Sequence, residues 1–189
     1  MLSRARSMRS FSNLLSNALN TGRIGLAVLA LLLCPAVWGQ DVPEYRLKAA
    51  FLYNFAAFTE WPAEVGATLK LCLFGSDPFG SEIDSLNGKA VGTRAVEVQR
   101  KTGLEGLKGC QLLFVAASHA GQLQRVADAV HGTPVLVVAD SAGATRQGAA
   151  LNMNISQGRV SFEANLAAAR GNQLKLSANL LRLATEVIR

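Results

Sequence analysis

The first forty residues contain no aspartate or glutamate. They do contain Arg4, Arg6, Arg9 and Arg23, followed by an apolar run from Ile24 to Leu33 and then Cys34-Pro35-Ala36-Val37-Trp38-Gly39-Gln40. A basic lead, a short apolar centre and compact residues at Val37 and Gly39 form the pattern of a secretory signal peptide cut between Gly39 and Gln40. The run is too short for a membrane anchor, which needs about twenty apolar residues to cross the hydrocarbon. A lipoprotein site at Cys34 fits poorly, because the bulky Leu32 and Leu33 precede it. Translation can begin at Met1 or at Met8 without changing the exported product. The expected organisation is a leader over 1–39 and one periplasmic domain over 40–189.

Other scarcities exclude function classes. Of 19 lysines and arginines, four leave with the leader, and the 13 acidic residues all stay, so the net charge falls from +6 to +2. No stretch interleaves Lys and Arg with aromatics, so nucleic acid is not an expected partner. There are two histidines, His119 and His131, twelve positions apart and on different faces of any helix joining them, which excludes a helical metal pair. No G-x-S-x-G elbow occurs, and Ser118 and His119, adjacent in sequence, are expected to point apart. Asp140 reads as a strand-end carboxylate without a partner. Gly75-Ser76-Asp77-Pro78-Phe79-Gly80 follows a strand but lacks the spacing of a phosphate loop, and Ser141 to Thr145 is a turn. Asn154-Ile155-Ser156 is a glycosylation acceptor only in a host that uses one. No catalytic residue, metal or cofactor is expected, and a non-enzymatic role follows.

Three cysteines become two once Cys34 is removed, leaving Cys72 and Cys110. In an oxidising compartment a lone pair points to a disulfide, with two buried free thiols as the alternative. Zinc would need more ligands than these.

Along the mature chain, Leu47, Phe51, Phe55 and Phe58 place four large groups on one stripe of a helix over 44–59, opened near Pro43 and stopped by Pro62. Strands are predicted at 69–74, 95–99, 111–116 and 134–139, the last two apolar throughout, as in strands covered on both faces. A short helix is expected from Asp77 toward Leu86, and a longer one over 119–130. Residues 149–155 and 159–163 alternate about the turn Ser156-Gln157-Gly158 and read as a hairpin. Two helices close the chain, one over 165–170 ending at Gly171 and one opened by Ser177 that shows Leu180, Leu183, Ala184, Val187 and Ile188 on one face. The expected class is a single α/β domain with a mostly parallel central sheet, flanking helices and a C-terminal β-hairpin plus two helices.

Three blocks carry a resemblance. Glu44 to Phe55 with Glu60-Trp61-Pro62, then Cys110 to Val115 with Gly132 to Val138, then Gly158 to Leu166 with Ala168-Ala169-Arg170 and Leu174 to Ser177, together resemble the YfiR/HmsC family. The resemblance implies a periplasmic repressor that binds the periplasmic part of an inner-membrane diguanylate cyclase and so lowers cyclic-di-GMP and biofilm formation. It also implies release by an OmpA-like outer-membrane lipoprotein, and a homodimer. Trp61, Pro62, Phe162, Glu163, Asn165 and Arg170 stand at motif positions of unassigned role. Some family members carry two disulfides. Cys72 and Cys110 match one, while the stretch from Thr145 to Asn152 has no cysteine for the other, and Gly148-Ala149 stands where a glycine pair is expected. The rival reading is a periplasmic small-molecule sensor with a pocket at the carboxyl ends of the parallel strands. N-terminal sequencing of the exported protein is expected to begin at Gln40, and a mature chain that still carries Ile24 to Leu33 would contradict the leader.

Overall fold

The computed structural model describes residues 44–189, so the leader, its Gly39–Gln40 junction and Pro43 lie outside the described residues. The chain opens with helix α1 (Glu44–Ala57) and strands β1 (Thr59–Glu60) and β2 (Thr68–Phe74). A one-turn helix α2 (Ser81–Asp84) leads to β3 (Ala90–Val91) and β4 (Arg94–Lys101). Next come β5 (Leu112–Val115), helix α3 (Leu123–Val130) and β6 (Leu136–Ala139). The hairpin β7 (Leu151–Ser156) and β8 (Arg159–Asn165) precedes α4 (Leu166–Gly171), β9 (Lys175–Leu176), α5 (Ala178–Leu181) and β10 (Glu186–Ile188).

Eight strands form one sheet in the order β10-β8-β7-β6-β5-β2-β4-β3. From β4 through β7 every neighbour is parallel; β8 reverses, β10 runs parallel to β8, and β3 is antiparallel to β4. The two-residue β1 and β9 pair separately. The α/β class with its mostly parallel sheet and added hairpin is as expected from the sequence.

Side-chain alternation along each strand feeds two cores. Leu71, Leu73, Leu112, Phe114, Leu136 and Val138 face α1 and α2. Their neighbours Cys72, Phe74, Leu113, Val115, Val137 and Ala139 face α3, whose Leu123, Val126 and Val130 are fully buried. This explains the unbroken apolar runs of β5 and β6, every residue of which is buried. Gly148 lets the turn before β7 lie against α3: its φ is +96°, and a Cβ there would come within 2.7 Å of the Ala127 Cβ.

Cys72 and Cys110 are joined by a disulfide inside the second core. It links β2 to the segment entering β5, beside the hydrogen bond from Gln111 N to Lys70 O at 2.9 Å.

The structure corrects four expectations about the helices. In α1 the buried face is Lys48, Ala49, Leu52, Phe55 and Ala56, while Phe58 is 39 % exposed and already outside the helix. Apolar residues surround that helix, so the large side chains alone misjudged its phase. The helix after Asp77 is delayed to Ser81, because Asp77 Oδ1 takes the Phe79 and Gly80 N–H groups at 2.7 and 3.2 Å and builds a turn first. The helix over 119–130 is a 3-10 stretch from Ala117 to Gln122 kinked at His119, then α3. The last predicted helix stops at Leu181. Thr185, Val187 and Ile188 are β-branched, and β10 pairs with β8 at Glu186–Glu163, Val187–Ala164 and Ile188–Asn165, leaving Leu183 70 % exposed.

The loop closed by the disulfide, with a separation of 38 positions, implies about 4 kcal/mol of stabilisation on a chain-entropy basis. Cys72→Ser is expected to lose several kcal/mol in urea unfolding, and reductant should destabilise wild type but not the variant. Equal stability of oxidised and reduced wild type would contradict this.

Candidate functional site

In a sheet of this topology the chain leaves β2 to one side for β4 and then crosses to the other for β5. Ligands in such sheets gather outside the carboxyl ends of the strands at that switch. Here those ends are Gly75 after β2, Ala116-Ala117 after β5 and Asp140 after β6. Several side chains pack at these ends. The His119 imidazole lies on Gly75 so closely that a Cβ at position 75 would come within 2.4 Å of Nε2, and its edge meets Phe74 at 6.1 Å between centroids. On the opposite face Tyr45 packs on Phe79 at 5.1 Å, and Phe79 on Phe114 at 4.9 Å.

Asp140 has partners that the sequence did not disclose. Its Oδ2 accepts from Lys48 Nζ at 2.5 Å and its Oδ1 from the Ala117 N–H at 2.7 Å, and its side chain is 1 % exposed. Lys48 also pairs with Glu44 one turn earlier and lies 4.7 Å from the Tyr45 ring centre. Burial by itself would lower the Lys48 pKa, but hydrogen bonds to Asp140 and Glu44 outweigh it and hold the ammonium above its usual 10.5. Burial pushes the Tyr45 hydroxyl up from 10.0, with nearby Lys48 opposing and Asp140 and Glu44 assisting. A lysine in the middle of an aromatic helix was the available signal, and the pattern of large residues hid it.

Ser118 Oγ lies 3.0 Å from His119 Nδ1, so the expectation that these side chains point apart is corrected: the kink at His119 turns the ring back toward its neighbour. Chemically the pair is a hydroxyl beside an imidazole whose Nε2 is turned onto the Gly75 backbone. Asp140, the nearby carboxylate, is engaged by Lys48 and Ala117, so the three do not form a charge-oriented nucleophile. His131 follows α3 as a helix-end residue and rests on Gly171, whose added Cβ would meet its Cε1 at 3.2 Å.

The motif residues are spread over the fold in different settings. Trp61 Nε1 donates to Ala56 O at 2.9 Å, and the Pro62 carbonyl accepts from Arg94 Nη2 at 3.4 Å, so both anchor the exit of α1. Phe162 lies in the first core, with ring centroids 5.1 Å from Phe55 and 6.3 Å from Phe51. Asn165 caps α4: its Oδ1 accepts from Ala168 N and its Nδ2 donates to Thr145 O, each at 2.9 Å. Glu163 Oε1 accepts from Asn154 Nδ2 at 3.0 Å, while Oε2 faces Thr145 Oγ1 at 3.3 Å and Asn152 Nδ2 at 3.5 Å. Thr145 and Asn152 are therefore linked through one carboxylate. Arg170 borders a groove of about 270 Å³ with Leu166, Ala169, Leu174, Leu176 and Leu181.

Among the described residues no three His, Cys, Asp or Glu side chains converge as a metal centre, and no helix is long and apolar enough to cross a membrane. Residues 45–185 match a protein family described as YfiR/HmsC-like.

Asp140→Asn leaves Lys48 buried with only its rim partner, and a cost of about 3 kcal/mol is expected. Because the Lys48 pKa is raised on folding, its contribution is complete below 10.5 and falls away as pH rises through the folded value. The stability gap between wild type and Lys48→Met should therefore shift against wild type in strongly alkaline urea titrations. A gap constant through that range would contradict the assignment.

Proposed function

Because this chain belongs to the YfiR/HmsC-like family, we propose that its mature part, 40–189, is a non-enzymatic periplasmic regulator. It binds the periplasmic sensor region of an inner-membrane signalling protein, a diguanylate cyclase, and holds it inactive. In the same reading the segment 1–39 is a cleaved signal peptide, an OmpA-like outer-membrane lipoprotein relieves the repression, and the regulator acts as a homodimer.

The observation that carries this reading is the family match, which runs from the second residue of α1 to the residue before β10. The disulfide inside the sheet supports an oxidising compartment, since such bonds persist outside the cytosol.

Deleting the gene in a strain that retains the cyclase is expected to raise cellular cyclic-di-GMP and biofilm mass, and a plasmid copy with its leader should restore both. Unchanged cyclic-di-GMP in the deletion strain would reject the repressor role. Recovery of the cyclase on immobilised mature protein separates direct contact from an indirect effect.

A further inference from the structure

We draw no further inference here: the strongest candidate, the apolar groove of about 270 Å³ between α4, β9 and α5 that Leu166, Ala169, Leu174, Leu176 and Leu181 line and Arg170 borders, is a surface for which nothing in the structure shows what covers it.

Discussion

A parallel sheet cannot leave either face in water, and nearly every other feature of this domain answers that demand. Successive residues of β2 enter different cores: Leu71 and Leu73 go to the α1 side, Cys72 and Phe74 to the α3 side. One long helix covers the first face. The other has only the eight residues of α3 and neighbouring turns, which is a thin cover for the strands it must shield. The disulfide lies under that thinner cover and joins β2 to the segment that enters the adjacent strand β5. Cross-linking there restricts the unfolded chain.

The pair between Lys48 and Asp140 serves the same sheet by a different means. Two buried charges seldom add net stability, because the loss of hydration offsets their attraction, and well-packed apolar residues can replace them without loss. What the pair supplies is phase. Apolar side chains lie all round α1, so hydrophobicity alone does not choose which face meets the sheet. Lys48 can be buried only where a carboxylate waits at the carboxyl end of β6, and that requirement turns Leu52 and Phe55 inward and leaves Phe58 exposed. Asp140 also holds the Ala117 N–H, so one carboxylate aligns the helix, β6 and the turn after β5.

This division shows which parts of the fold and of the candidate site were legible in the sequence. The strands β5 and β6 were readable because burial on both faces leaves no room for polar residues. The hairpin was readable because one of its faces is polar, and Asn152, Asn154, Ser161 and Glu163 alternate with Leu151, Met153 and Phe162. The phase of α1 was not, because it rests on a contact 92 positions away. Nor was β10: a short apolar segment with Val187 and Ile188 suits a helix face or a strand equally, and the available edge of β8 decided between them. The Ser118–His119 contact was hidden for a local reason, since the kink at His119 redirects the ring. The motif residues were identifiable as positions, yet their roles needed the coordinates. Trp61 and Pro62 secure the end of α1, Phe162 fills a core, and Asn165 caps a helix.

The acidic end of the β10 side explains why a sheet of eight strands stops where it does. An outer strand offers unpaired backbone groups to any extended chain, and proteins guard such edges by shortening them or by placing charge on them. At the far side β3 is only two residues long. At the near side β10 has three residues, and its Glu186 stands beside Glu163, so a second copy approaching edge to edge would bring its own glutamates onto these. That repulsion costs the fold some attachment of β10, which Thr185 partly restores by bonding Phe162 O through both its N–H at 2.8 Å and its hydroxyl at 3.0 Å. The strand is thus anchored at its start and charged at its first residue, so its outer edge is both ordered and protected from self-pairing.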